Sequence, residues 1–194
     1  MKPNMKLNSL CLTLAAAFAI GSTSANAGVL TVASPNVPVE ICDTCTVGST
    51  LNVERHGRVL DVNALVNITH GWDADLVLSL THEGVTVLLS NRQGGSGGAN
   101  YTDTLFDDGA AISIAEGYAY APYTGSFRPE EALAAFIGHN VFGAWTLTVV
   151  DSEAGDAGSI DGWALAAEVP EPGSLALFAV AALGLGGARR RRLR

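Results

Sequence analysis

The sequence predicts an all-β domain, a jelly-roll β-sandwich of about eight short antiparallel strands. Two observations carry that expectation. From Ser49 onward, apolar and polar residues alternate with a period of two, as strands with one buried face require, and the runs are punctuated by many of the chain's 22 glycines. Helical periodicity is almost absent, so a parallel α/β sheet with crossover helices has no material to be built from.

The clearest stretch is 66–80. Val66 and Ile68 alternate with Asn67 and Thr69, and Leu76, Leu78 and Leu80 alternate with Val77 and Ser79. Two strands therefore meet across His70-Gly71-Trp72-Asp73-Ala74-Asp75. Taken in order, residues 28–48 hold Pro35 and Pro38 with little periodicity and read as an extended N-terminal arm with one edge strand at most. Candidate strands follow at 50–55, 59–69, 75–81 and 85–90, the last two forming a hairpin across His82-Glu83-Gly84. A glycine-rich loop at 91–100 precedes strands near 103–106, 111–114, 144–150 and 159–168. One helix is suggested at 129–136, where Pro129 suits a first turn and Glu130-Glu131 suit its positive dipole end. Ile, Val and Leu, with Trp72, Trp145, Trp163, Phe106, Phe136 and Phe142, suffice for one inter-sheet layer ~10 Å thick.

Both ends of the chain look like targeting segments. Residues 1–27 combine Lys2 and Lys6, an apolar run over 10–20 and Ala25-Asn26-Ala27, the three parts of a signal peptide with cleavage after Ala27. Residues 169–194 read Val-Pro-Glu-Pro-Gly, then an apolar stretch over 174–188, then a cluster of arginines. As a helix that stretch spans about 22 Å, short of the ~30 Å hydrocarbon core, so it makes a weak stop-transfer signal and a transient membrane anchor.

All 19 acids lie between Glu40 and Glu171, against Arg55, Arg58, Arg92 and Arg128, leaving that stretch at −15. Such a body will not bind nucleic acid by neutralising phosphates; it suits divalent cations or basic partners, or simply stays soluble. Cys42 and Cys45, separated by Asp43-Thr44, lack the second ligand pair of a structural zinc site and the helix start of a redox dithiol. In an oxidising compartment they are expected to form a small disulfide loop.

Carboxylates recur at the strand ends. Asp73 and Asp75 flank Ala74; Asp107-Asp108 follow Phe106; Asp151, Glu153, Asp156 and Asp161 ring the loop before the last strand. Acids this close repel unless they stay hydrated or share a cation, so the Asp73/Asp75 turn is either half of a Ca²⁺ site or a solvated turn. The 151 loop is not an EF-hand, since Asp156 holds the position of its glycine. Gly94-x-Ser96-x-Gly98 fits a nucleophile elbow, but the run is almost all glycine, no helix follows it and no base is in view.

Four segments in order resemble the P domain, or Homo B domain, of subtilisin-like proprotein convertases and bacterial secreted proteases. These are Asn67–Leu76, Gly94–Asn100 running on to Phe106-Asp107-Asp108, Pro122–Pro129, and Gly143–Leu147 with the Asp151, Gly155-Asp156, Gly158 and Gly162–Leu165 positions. Gly71 and Ala74 stand where that family often has Thr and Gly. The likeness covers about 49–168 and implies a jelly-roll sandwich that stabilises a protease domain. It also implies Ca²⁺ held by loop carboxylates, with Asp73, Asp75, Asp107 and Asp108 as first ligand candidates and Asp151 and Asp156 as second. The tail, with Pro170, Glu171 and Pro172 as its motif, resembles the PEP-CTERM sorting signal, which implies processing by an exosortase. A subtilisin triad has no scaffold among these residues. The resulting expectation is an exported, non-catalytic, Ca²⁺-stabilised module delivered to the cell surface or extracellular matrix. There it would bind polysaccharide or protein, or act beside a separate subtilisin-like protease.

Overall fold

A computed structural model describes residues 27–95 and 99–170. The signal-peptide stretch before Ala27, Ser96 of the elbow-like run, and Glu171, Pro172 and the rest of the tail lie outside them. Among the described residues no helix is long and apolar enough to cross a membrane.

Ten strands form two sheets. They are β1 (Ala27–Ala33), β2 (Val39–Ile41), β3 (Thr46–Val53), β4 (Asp61–His70), β5 (Leu76–His82), β6 (Val85–Asn91), β7 (Tyr101–Phe106), β8 (Tyr123–Phe127), β9 (Gly143–Asp151) and β10 (Gly158–Pro170). One sheet runs β1-β10-β4-β7-β8, with β2 also pairing β10, and the other runs β3-β9-β5-β6. Every pairing is antiparallel except β7 with β8, which is parallel.

The alternation read from the sequence is the alternation of burial. Val62, Ala64, Val66 and Ile68 of β4 face inward, as do Leu76, Leu78 and Leu80 of β5 and Trp145, Leu147 and Val149 of β9. The layer between the sheets is closed by Phe106, Phe136, Tyr101 and Tyr123, with His82 stacked on Trp145 at 3.8 Å between centroids. Both His82 ring nitrogens also face carbonyl oxygens, of Ala144 at 2.9 Å and Asn140 at 2.7 Å. The β5–β6 hairpin turns through Glu83 and Gly84, both with positive φ, as a two-residue turn demands.

Several expectations are corrected. Residues 28–48 are not an arm but β1, β2 and the start of β3. β1 pairs along its whole length with β10, from Ala27 opposite Pro170 to Ala33 opposite Ala164. An edge strand packed on one neighbour has little apolar demand, so its pairing leaves no periodic trace. Segment 111–114 makes only an isolated bridge, Ser113 to Arg128, before a 3-10 helix over Ile114–Ala119. The helix expected at 129–136 shrinks to a 3-10 turn, Leu133–Phe136. β8 was not foreseen: only its end residues, Tyr123 and Phe127, are buried, and Gly125 interrupts it. Trp72 and Phe142 are not core; they remain 37% and 39% exposed. The Cys42–Cys45 disulfide closes the turn from β2 to β3, its Cα atoms 5.5 Å apart.

Candidate metal centre

The inward phase of the strands does not stop where the apolar residues stop. On β4 the next inward residue after Ile68 is His70, 1% exposed; on β9 the next after Val149 is Asp151, 2% exposed. The two strands belong to different sheets, so His70 Nε2 and Asp151 Oδ2, 3.4 Å apart, bridge the sandwich at its rim. The other His70 nitrogen, Nδ1, lies 2.9 Å from the Trp72 carbonyl and 3.2 Å from the Trp72 N–H. The backbone N–H of His70 donates to Asn100 Oδ1 at 3.0 Å. Asn100 sits at φ 74°, a left-handed conformation Asn tolerates better than most residues, which turns its amide onto β4.

Between β4 and β5 the chain makes a 3-10 turn, Asp73–Asp75. Asp73 points inward and is fully buried, and neither carboxylate oxygen finds a hydrogen-bond partner among the described residues. Its Cβ fits only because Gly94 has none: a methyl there would come within 2.9 Å. Burial pushes the Asp73 carboxyl from 3.8 up to about 7, with the nearby Asn100 backbone and His70 pulling weakly the other way. The same burial, joined by the Asp73 charge, raises the neighbouring Tyr123 hydroxyl, itself without a partner.

Asp75 turns toward the loop after β9. Burial raises its carboxyl first, and repulsion from Asp151, Asp156 and Glu153 adds to that, against the pull of His70. Ser152 closes over this turn, donating its N–H and hydroxyl to the Asp75 carbonyl at 2.9 and 2.8 Å. Asp151 Oδ1 accepts the Glu153 N–H at 3.2 Å, while Oδ2 has only the His70 contact. Asp156 lies directly over Gly71, where a Cβ would overlap its Oδ1. The single arginine at this rim, Arg92, is taken by Glu153.

Asp107 and Asp108 are elsewhere. β7 starts beside Ile68 and ends beside Ala64, so the acids after Phe106 leave at the far end of the strand from His70. Asp107 Oδ1 accepts the Gly109 N–H. Asp108 accepts the N–H groups of Leu133 and Ala134 at 2.9 and 2.8 Å, capping the 3-10 turn. All acceptor atoms used there serve the backbone.

The rim is thus a ring of acids around His70 and not a finished cage. Among the described residues no three of His, Cys, Asp and Glu stand close enough together to hold a metal ion as they are placed. The orphaned oxygens of Asp73 and Asp151 nevertheless call for a proton or a cation, because a buried carboxylate without a partner is expensive. Four of the six acids named from the sequence meet at this end: Asp73, Asp75, Asp151 and Asp156. The sequence reading missed the His70–Asp151 bridge, although the two-residue phase that buries Ile68 and Val149 carries straight on to both.

A two-sheet, all-β module with an acidic rim is the class these features define. The proprotein convertase P-domain family matches residues 59–167, and the chain belongs to it. The PEP-CTERM protein-sorting motif matches residues 168–192, a signal for export to the bacterial cell envelope or surface. No curated protein matches the chain. Among solved structures it is similar to the serine protease of Aeromonas sobria in complex with the chaperone ORF2. There the identity is 16% and the TM-score 0.46, over 75% of this chain and 28% of that one. It is also similar to the Aeromonas sobria serine protease alone, at 15% identity and a TM-score of 0.45, over 73% and 27% of the two chains. The chain therefore spans little more than a quarter of the proteases it resembles.

Proposed function

We propose that the chain is an exported, non-catalytic accessory module, stabilised by Ca²⁺ at the acidic rim and processed by an exosortase. It would be held at the cell surface or in exopolysaccharide, where it binds glycan or protein. The observation that carries this reading is the direct succession, in one chain, of a P domain over 59–167 and a sorting motif over 168–192. Asp73, Asp75, Asp151 and Asp156 would hold the ion, with Asp107 and Asp108 committed to backbone caps. Calcium takes six to eight oxygens at 2.3–2.6 Å, so carbonyls and water would complete the shell. The ion would neutralise Asp73 and pin the β4–β5 turn to the loop after β9.

A second reading, favoured by the family itself, is an accessory that docks on a separate subtilisin-like protease. Affinity-tagged chain, crosslinked on living cells and recovered, separates the two. Matrix glycan or surface protein among the captured material supports the first reading; a subtilisin-like protease as the main partner replaces it with the second.

A further inference from the structure

The end of the sandwich opposite the acidic rim carries acids too, Asp107 and Asp108 among them, but it also holds cationic and imidazole donors. There the 54–60 connection and the loop before β9 zip together through three backbone bonds. Gly138 donates to Val59, Val59 to His139 and Val141 to Gly57, at 2.8–2.9 Å. A cleft of about 320 Å³ lies along this seam, lined by His56, Gly57, Arg58, Gly138, His139 and Asn140. Arg55 and Arg58, half of the four arginines between Glu40 and Glu171, are at this end.

The donors of the cleft are set by its own hydrogen bonds. Asn140 Oδ1 accepts the Gly57 and Phe142 N–H groups at 3.1 and 3.2 Å, so its Nδ2 must face His56 Nδ1, 3.1 Å away. His56 Nδ1 is then the acceptor, and Nε2 carries the ring N–H. His139 Nδ1 lies 3.1 Å from Glu83 Oε2, which engages that carboxylate beside the cleft. Arg58 is exposed and pairs with no carboxylate among the described residues. It lies against Gly138, where a Cβ would come within 3.3 Å of Nη2 at a φ of 93°. Beside these donors Phe142 and His56 stack at 4.0 Å with their planes 14° apart, and Phe142 stays open to solvent.

A free guanidinium and an imidazole N–H line the cleft, and the half-exposed Phe142 ring lies beside it, stacked on His56; together they suit a carboxylate carried on a ring with an apolar face. We propose that this cleft binds a carboxylate-bearing sugar, a hexuronate unit of an acidic polysaccharide. The carboxylate pairs with Arg58 and accepts from His56, and the apolar face of the ring lies on Phe142. In a body at −15 such a ligand is repelled by most of the surface, so the cleft would also set the orientation of the module on the polymer. This inference rests on the glycan-binding reading and specifies its site and ligand.

The test is calorimetric titration of the full chain, in mild detergent, with a galacturonate trisaccharide and with its neutral galactose counterpart. Binding of the acidic sugar and a loss of about tenfold or more with the neutral one is expected. Arg58→Gln, at an exposed site, should weaken the acidic sugar about tenfold with an unchanged melting temperature. Phe142→Ala should weaken both sugars severalfold, and Arg92→Gln at the other end should change nothing. The inference is overturned if Arg58→Gln binds as tightly as wild type, or if acetate or a peptide C-terminus competes on equal terms with the sugar. Retention of matrix glycan by Arg58→Gln cells would overturn this site while leaving the glycan-binding function standing. Failure of wild type to hold any glycan overturns both.

Discussion

Asp73→Asn is the substitution that isolates the buried acid at the rim. In the cation-free protein Asp73 is protonated in the fold up to about pH 7, whereas in the unfolded chain it ionises near 3.8. Between those values the fold binds more protons than the unfolded chain. The contribution is therefore complete below pH 3.8 and is lost as pH rises through about 7. At ~1.36 kcal/mol per pH unit, keeping Asp73 ionised in its dry site costs about 4 kcal/mol, or roughly 10–15 °C in melting temperature for a domain of this size. Thermal melts from pH 5 to 8 with chelator should show wild type losing stability with rising pH. The asparagine variant, having no charge to bury, should keep only the slope due to Asp75, whose carboxyl is also raised. At pH 7.5, Ca²⁺ at a hundred times its dissociation constant should return about 2.7 kcal/mol to wild type and much less to the variant. Wild-type melts that are flat between pH 5 and 8 would refute the reasoning, as would a variant that keeps the full wild-type slope.

Asp108→Ala should cost about 1–2 kcal/mol through the lost cap at Leu133 and Ala134 and leave the Ca²⁺ response of the melting curve intact; a lost response would return Asp108 to the ligand set. Gly158→Val should destabilise the domain severely or prevent folding, since a Cβ there overlaps the Thr69 carbonyl across the β10–β4 pair, as soluble yield and circular dichroism will show. Trp145→Ala should cost about 3–5 kcal/mol in chemical denaturation, because it empties the centre of the core and strips His82 of its stack; Trp72→Ala, at an exposed position, should cost far less. Replacing Cys42 and Cys45 by serine should lower stability by about 2 kcal/mol, the value for so short a closed loop, with the same change produced in wild type by a reductant.

What could be read beforehand followed from burial. Strands whose inner face must be apolar, β4, β5, β6, β9 and most of β10, announce themselves by period, and their register follows because a one-residue slip would expose Val66 or Leu78. Strands β1, β2 and β8 owe their existence to backbone pairing with a neighbour already in place, and hydrogen bonds between main chains leave no mark on side-chain composition. The site divides in the same way. Asp73 and Asp75 were visible as a pair in a turn, and Asp151 and Asp156 as acids in a loop. That Asp107-Asp108 would be consumed in capping depended on where β7 ends relative to the Leu133–Phe136 turn, which only the assembled sheets determine. Gly71 stands where the resemblance often has threonine, and the sequence alone gives no reason for the difference. In the fold it is the seat of Asp156, and a larger residue there would have to move that acid off the rim.

β10 is the longest strand, and it lies between β1 and β4 with the sorting motif continuing from its end. Were the module held at the surface through that motif, as proposed, drag would enter at Pro170 along the axis of an interior strand. Extraction would have to shear two ladders at once, against Ala27–Ala33 on one side and Asp61–His70 on the other, whereas a terminal edge strand could be peeled off bond by bond. A tether at that point would pull on a strand that is paired on both sides.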